Sequence, residues 1–210
     1  MQALLGKKLG MTQIFDEKTG AVTPVTVIQV GPCPIVQVKT TAEHGYEAVQ
    51  IGFGDIRSTV VNLPTRGHFA KAKVTPRRRL KEFRVDDASA YTVGQELTVE
   101  MFQDAKYVDV IGTSKGRGFA GTIKRHKFHT GPKTHGSRNY RAPGSIGSNS
   151  TPNRVFKGQR MPGHHGDVQV TVRNVAVAQV DAANHLILLG GAVPGARNGF
   201  VLVRSAKKPK

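Results

Sequence analysis

The stretch "DVQVTVRNVAVAQVD" (167–181) predicts a long β-strand that changes face once. Its first three valines alternate with polar residues, and Val175 and Val177 then share a face in the opposite phase. Since side chains alternate between the two faces of a strand, the slip at Arg173-Asn174 predicts a β-bulge or a sharp bend. Strands that turn a barrel corner bend in this way, so the stretch favours a β-barrel.

Short segments rich in Val and Ile, separated by turn residues, predict further strands around it. They are 21–30, 34–40, 46–54 and 96–102. After residue 181, "HLILLGGAV" and "GFVLVR" predict two more strands, joined by a tight hairpin turn at Asn198-Gly199. Only two short helices are expected, one at 63–73 with Pro64 at an early position, the other at 119–128. The pattern predicts a mainly β chain built on a small antiparallel barrel.

Composition bounds the class of protein. The 210 residues carry a formal charge of +17, with a pI near 10.4. A charge excess of this size is tolerated best beside a polyanion, so nucleic acid is the leading partner and an anionic membrane surface the second. Cys33 is the only cysteine, which excludes an intrachain disulfide. We expect neither a signal peptide nor a membrane-spanning segment, because no apolar run is long enough.

The positive charge is concentrated in one window. Between Asp109 and Asp167 there is no Asp or Glu, whereas the rest of the chain carries 20 Lys and Arg against 14 acidic residues. The window holds eleven cations, which we predict to bind phosphates: Lys115, Arg117, Lys124, Arg125, Lys127, Lys133, Arg138, Arg141, Arg154, Lys157 and Arg160.

Most of this window has neither a helical nor a strand period, because Gly, Pro, Ser, Asn and Thr recur every few residues. Such a segment cannot bury enough apolar surface to offset the entropy of ordering it. It is either a flexible basic loop or an arm that orders when phosphates neutralise it, and the absence of acids favours the arm. Its aromatic residues either stack on bases, wedge between RNA helices or anchor the arm; they are Phe119, Phe128, Tyr140 and Phe156.

The stretch "GRGFAG" (116–121) matches the G-x-G-x-x-G spacing of dinucleotide-binding loops. That fold needs a βαβ unit and an acidic residue about 20 positions on, to hold the ribose hydroxyls. The next acid is Asp167, which is too distant, and no alternating strand–helix pattern surrounds the motif. The glycines still let backbone N–H groups approach an anion, with Lys115 and Arg117 beside them. We therefore expect no cofactor here, and a hinge between a barrel strand and the arm.

Other chemistry finds little support. The histidines "HKFH" (126–129) and "HH" (164–165) lack the cysteine or paired ligands of a structural zinc site, so no metal is expected. No G-x-S-x-G elbow is present, and no carboxylate lies near the histidines to orient one, so no hydrolase and no small-molecule substrate are expected. A second basic cluster, "RRRLKEFR" (77–84), either contacts phosphate or forms a solvated face, and the overall charge favours contact.

Three motifs, in order along the chain, resemble the family of ribosomal protein three of the large subunit, in its bacterial form. They are "LLGKKLGMTQIFDE" (4–17), a signature from Phe102 through Asp109, Gly112, Ser114, Gly116, Arg117, Gly118 and Gly121 to Arg125, and "PGSIGSNSTPNRVFKGQRMPGHHG" (143–166). The resemblance covers essentially the whole chain.

The resemblance implies a translation-protein-type antiparallel β-barrel with a smaller inserted region and a long basic arm. We expect the barrel at about 1–60, 94–124 and 166–206, the inserted region at about 61–93 and the arm at about 125–165. The family binds the large rRNA near its 3′ end in the cytoplasmic ribosome, acts early in subunit assembly, and extends its arm towards the peptidyl-transferase centre without performing the chemistry. Neighbouring proteins, by resemblance the fourteenth and nineteenth of the large subunit, would touch the barrel.

The arm tip implied by the resemblance consists of small and polar residues: Gly144, Ser145, Ser148, Asn149, Ser150 and Thr151. Some bacterial relatives carry a methylated glutamine at the tip, where this chain has Ser148-Asn149-Ser150, so that modification is not expected. The chain has no Trp, so the tip tryptophan of longer family members is absent too. Two other classes stay open, a dinucleotide enzyme and a free-standing nucleic-acid chaperone.

Overall fold

The computed structural model describes residues 3–15 and 20–206. Residues 1, 2 and 16–19 of the expected barrel segment lie outside the described residues. The helices are α1 (Thr41–His44), α2 (Leu63–Lys71) and α3 (Thr122–His126), with single 3-10 turns at Ser58–Val60 and Val99–Phe102. The strands are β1 (Ala3–Phe15), β2 (Val22–Val30), β3 (Cys33–Lys39), β4 (Ala48–Asp55), β5 (Arg77–Arg84), β6 (Glu96–Leu97), β7 (Tyr107–Thr113), β8 (Phe119–Ala120), β9 (Gly163–His164), β10 (Gln169–Asp181), β11 (Leu186–Gly190) and β12 (Phe200–Ser205).

Six of these strands close into an antiparallel barrel in the order β1-β12-β7-β10-β11-β2, which confirms the predicted fold class. Along much of the barrel, alternate residues point inward and are buried, because each strand presents one face to the barrel interior. The buried set includes Leu4, Ile28, Val108, Val110, Ile187, Leu189 and Val203. No helix within the described ranges is long and apolar enough to cross a membrane.

The phase slip of the long strand is a β-bulge, as predicted. The register of β10 against β7 shifts between Val172 and Val175, and Asn174 adopts a left-handed φ of +54°. The buried carboxylate of Asp109 on β7 accepts the backbone N–H of Asn174 at 3.1 Å and two N–H groups of Arg204 on β12 at 3.1 and 3.3 Å. One side chain therefore joins three neighbouring barrel strands at the bulge.

The strands β3 and β4 do not belong to the barrel, which corrects the expectation that the barrel takes up about residues 1–60. They pair with each other in a separate four-stranded sheet of order β5-β4-β3-β6. The sheet includes Arg77–Arg84, from the region that we expected to be an insertion. Alternation along a strand predicts which residues are buried but leaves its pairing partner open, because that depends on contacts distant in sequence.

Two further local predictions are wrong. Asn198 is left-handed, with φ +65°, but β11 and β12 are not hairpin partners, since β11 pairs with β2 and β10 and β12 pairs with β1 and β7. In 96–102 only Glu96–Leu97 is a strand, and the 3-10 turn that follows buries Val99 and Phe102. Their spacing of three residues suits a 3-10 helix, in which positions i and i+3 share a face.

The helix predicted at 63–73 is confirmed as α2, with Asn62 as its N-cap. The Asn62 side chain accepts the backbone N–H of Thr65 at 3.1 Å, and Pro64 lies in the first turn, where its missing N–H costs nothing. The helix packs Phe69 against Val36 of β3. The helix predicted at 119–128 is shorter, because Phe119 and Ala120 pair with β9 and leave only Thr122–His126 helical.

Cys33 is expected to resist alkylation in the folded protein. Burial raises the pKa of its thiol to about 12, although the thiol donates a long hydrogen bond to the Leu5 carbonyl at 3.5 Å. Since the thiolate is the nucleophile, labelling by iodoacetamide at pH 8 should be about a thousandfold slower than in the denatured chain. Mass spectrometry of timed samples measures the rate. Fast labelling of the native protein would show that the cysteine is accessible there.

Candidate nucleic-acid interface

The acid-free window lies in a compact unit of its own, Ser114–Val168, all of which the structure describes. The unit begins and ends in an antiparallel stem. The Ser114 N–H donates to the Val168 carbonyl at 2.9 Å, and Arg117 and His165 continue the ladder through a bond of 2.7 Å. Farther along, Phe119 lies opposite His164. These bonds bring the two ends of the segment together.

Gly166 makes the stem possible. It has a φ of +75°, and a Cβ at this position would collide with the carbonyl oxygen of Lys115 on the opposite side of the stem. Any other residue would be strained by its backbone conformation and would also push the two sides apart. No sequence pattern marked this glycine as structurally special. The feature of the sequence that could have identified Gly166 is its position, since it follows two histidines and lies where the acid-free segment meets the long strand.

Short helix α3 follows the first side of the stem, and one of its predicted RNA-binding residues makes internal contacts. Arg125 is half-buried, and its Nη1 donates to the Met161 carbonyl at 2.8 Å. The same carbonyl lies 3.0 Å from His126 Nε2. The guanidinium of Arg125 packs directly on Gly163, where a Cβ would approach Nη1 to 2.6 Å. Arg125 therefore helps to hold residues 122–126 against 161–163, a role that its charge alone did not reveal.

Between Lys127 and Arg160 there is neither a strand nor a helix, and no residue is buried. Local bonds shape the chain instead: the Gly131 N–H donates to the Tyr140 carbonyl at 3.0 Å, and a Cβ on Gly131 would collide with the Asn139 carbonyl. Ala120 and Thr122 are the only buried residues of the whole 114–168 unit. The segment thus has almost no core of its own, as its composition predicted.

Ten of the eleven predicted cations are exposed, all except Arg125. None of the ion pairs within the described residues involves them. Two make weak local contacts, Arg117 with a ring nitrogen of His165 at 3.3 Å and Arg154 over the Phe156 ring at 5.6 Å. A surface with many exposed cations and one acid, Asp167, at its margin attracts a polyanion over several ångströms. Which of these cations bind RNA stays a prediction.

Exposed aromatic and aliphatic side chains lie among the cations. Phe119 is 71% exposed, Phe156 57% and Tyr140 45%. These side chains are therefore accessible for stacking on bases. The expected tip, 144–151, is exposed throughout, and its one side-chain hydrogen bond is from Ser145 Oγ to the Gly147 carbonyl at 3.0 Å.

The glycines of "GRGFAG" stand in a context that a dinucleotide fold does not provide. They follow β7, but the next helix is the five-residue α3, and every described strand pair of the chain is antiparallel, so the described residues contain no βαβ unit. Gly118 has a φ of +68°, and a Cβ on Gly118 or Gly121 would have no described atom within 4 Å apart from those of its chain neighbours. Their open surroundings leave room for an external group, and the close approach of a phosphate there stays a prediction.

The histidines of this unit form local contacts. His126 lies against the Met161 carbonyl, His165 against Arg117, and His164 packs edge-on to Phe119 with ring centroids 5.9 Å apart. Among residues 3–15 and 20–206, no group of three His, Cys, Asp or Glu side chains is arranged to hold a metal ion.

The second basic cluster, 77–84, is strand β5 of the four-stranded sheet. Its arginines have different surroundings: Arg77 is paired with Asp55, Arg79 lies over the Phe200 ring at 5.0 Å, and Arg84 lies over the Tyr46 ring at 5.6 Å. The exposed arginines of this cluster either contact phosphate or form a solvated face, and both alternatives stay open.

Comparison with known proteins agrees with the motifs. The family model described as "Ribosomal protein L3" matches residues 81–185, which include the signature, α3 and all of the 114–168 unit. The "Large ribosomal subunit protein uL3" of Heliobacterium modesticaldum is 52% identical over 209 residues, covering 100% of this chain and 99% of that protein. The chain therefore belongs to the ribosomal protein L3 family.

Proposed function

We propose that this chain, a structural ribosomal protein of the large subunit, binds the large rRNA near its 3′ end through the 114–168 unit during early assembly. The observation that carries the proposal is the exposure of ten cations in a segment that has no acid before Asp167 and almost no core. Its place of action is then the cytoplasmic ribosome. By family resemblance, the fourteenth and nineteenth proteins of the large subunit are its neighbours.

The stem and the loop contribute differently to this binding. The ladder from Ser114 to Ala120 and the contact of Arg125 with Met161 hold together the two ends of the loop. The loop between them supplies flexible cations, which gain most from phosphate contact because no acid of the loop competes for them. The tip at 144–151 would reach towards the peptidyl-transferase centre, where it contributes shape and no catalytic group.

Removing arm cations should reduce the salt dependence of RNA binding. The triple variant Lys133→Gln/Arg138→Gln/Arg141→Gln removes three exposed charges, and each phosphate contact contributes about 0.9 to the slope of log K against log salt. We expect the slope to become shallower by about two to three units. Filter binding to a fragment from the 3′ end of the large rRNA, over about 50 to 200 mM KCl, measures it.

The matched control is Lys71→Gln/Lys73→Gln/Lys106→Gln, which removes the same charge from exposed positions outside the unit. It should leave the slope nearly unchanged. Equal losses in both triple variants would mean that net charge, and not the arm, drives binding. A flat salt dependence of the unmodified protein would contradict phosphate binding altogether.

Sedimentation distinguishes this function from that of a free-standing nucleic-acid chaperone. A tagged copy expressed in bacterial cells should travel with the large subunit in a sucrose gradient and remain there after a wash at moderate salt. A protein that stays at the top of the gradient would favour the chaperone.

A further inference from the structure

A cleft of about 460 Å³ lies between the barrel and the four-stranded sheet, and all of its lining residues lie outside the 114–168 unit. Its volume is in the range of small-molecule sites. Its lining combines cations, amides and two aromatic rings: Lys7, Gln29, Gly31, Pro32, Phe53, Gly54, Asp55, Arg77, Arg78, Asn198 and Phe200.

Two glycines of β4 shape the cleft. At Gly52 a Cβ would approach the Arg77 side chain to 2.8 Å, so the absence of a side chain lets the arginine stem lie across the sheet. Gly54 has a φ of +76°, and its Cβ position lies 3.7 Å from both Arg78 and the Phe200 ring. Gly52 thus leaves room for the stem of Arg77, and Gly54 provides a left-handed backbone conformation that other residues rarely adopt.

The cations of the cleft are incompletely neutralised. Arg77 pairs with Asp55 through Nη1, yet the Arg77 side chain is only 14% exposed and that of Asp55 is 89% exposed. Within the described residues, Arg77 Nε is buried and has no hydrogen-bond partner. Neither Lys7 nor Arg78 forms an ion pair within the described residues. Three cations therefore face one carboxylate, and one buried donor lacks an acceptor, which is costly unless a ligand supplies one.

Aromatic and amide groups complete the lining. Phe53 and Phe200 meet edge to face with ring centroids 6.1 Å apart, and the Arg79 guanidinium lies over the Phe200 ring at 5.0 Å. Phe53 is only 6% exposed, whereas Phe200 is half-buried and is the more accessible of the two rings. Gln29 and Asn198 add amide groups, which can both donate and accept hydrogen bonds. A nucleotide requires a phosphate site, a surface for the base and groups that read the edge of the base. In this cleft the cations, an aromatic ring and the amides provide these three features.

We propose that this cleft holds one unstacked nucleotide of an RNA strand, with its phosphate on Arg77, Arg78 and Lys7 and its base against Phe200. The barrel unit then has an RNA contact of its own, independent of the arm. An unpaired residue at a bulge or strand end is the fitting ligand, because a base inside a helix could not enter the cleft.

Photo-cross-linking of the full chain tests the site. The probe is an oligouridylate of about eight nucleotides that contains 4-thiouridine. We expect cross-linked peptides that contain Phe200, identified by mass spectrometry. Arg78→Ala should lower their yield about tenfold, the effect of one charge-assisted phosphate contact. Lys81→Ala removes an exposed cation of the same strand outside the cleft and should leave the yield unchanged.

Competition separates a nucleotide site from a simple anion site. Uridine 5′-monophosphate should suppress the cleft cross-links at a lower concentration than inorganic phosphate does. Equal suppression, or equal losses in Arg78→Ala and Lys81→Ala, would overturn the proposal. Cross-links confined to 127–160 would overturn it too, and would leave the proposed function of the arm intact. If neither the cleft nor residues 127–160 were cross-linked, the result would contradict both the cleft proposal and the proposed function of the arm.

Discussion

Replacement of Asp109 by alanine is expected to lower the free energy of unfolding by about 3 to 5 kcal/mol, the usual effect of breaking a buried ion pair. Asp109 is 2% exposed, and its carboxylate accepts three N–H groups, from the bulge at Asn174 and from Arg204 on β12. The variant leaves a guanidinium and a bulge N–H in the barrel wall without an acceptor. Urea denaturation followed by far-UV circular dichroism measures the difference.

Two controls test whether the loss of stability comes from the buried contacts of Asp109. Asp104→Ala removes a carboxylate from an exposed position five residues earlier and should change stability by no more than about 0.5 kcal/mol. The double variant Asp109→Leu/Arg204→Leu replaces the pair by apolar side chains and should recover part of the loss. A loss below about 1 kcal/mol for Asp109→Ala would show that this carboxylate does not join the strands.

Excision of residues 127–160 should leave the remaining protein folded and reduce its affinity for large rRNA by about a hundredfold or more, ~3 kcal/mol. No residue of that segment is buried, so its removal exposes no core. The new ends are close, because His126 Nε2 lies 3.0 Å from the Met161 carbonyl, and a short glycine-serine linker joins them. The deletion removes seven cations: Lys127, Lys133, Arg138, Arg141, Arg154, Lys157 and Arg160.

The melting temperature should shift by no more than about 2 to 4 °C, which corresponds to roughly 1 kcal/mol in a chain of this size. A full-length variant with the same seven cations changed to glutamine is the matched control, and it should lose a similar affinity if charge is what binds. Unfolding of the excised protein would show that the arm belongs to the core. Unchanged RNA affinity in both variants would exclude the arm as the main binding surface.

Local patterns predicted local structure well. The bulge at Arg173-Asn174 follows from the change of phase among the valines, because side chains alternate strictly along a strand. Helix α2 follows from Pro64, whose effect on a helix start is confined to the first turn, whereas the capping role of Asn62 was recognised only in the structure. The helix at 119–128 was only partly correct, since Phe119 and Ala120 are drawn into pairing with β9, more than forty residues later.

Pairing could not be predicted in the same way. The turn at Asn198-Gly199 was recognised, yet it leads into a strand whose partners are β1 and β7. Likewise, β3 and β4 have the apolar pattern of barrel strands but form a second sheet. Side-chain alternation is identical in both arrangements, so the choice depends on which surfaces meet across long sequence separations.

For the candidate interface, composition alone predicted the kind of partner and the segment that would meet it, because eleven cations without an acid are costly except beside a polyanion. Only the tertiary structure distinguished among those cations. It uses Arg125 to hold Met161, leaves the other ten exposed, and brings Arg77, Lys7 and Phe200 together at a cleft that no local motif marks. The reason is physical: charge and periodicity are properties of neighbouring residues, whereas a bond such as that between Asp109 and Arg204, 95 residues apart, exists only once the barrel has closed.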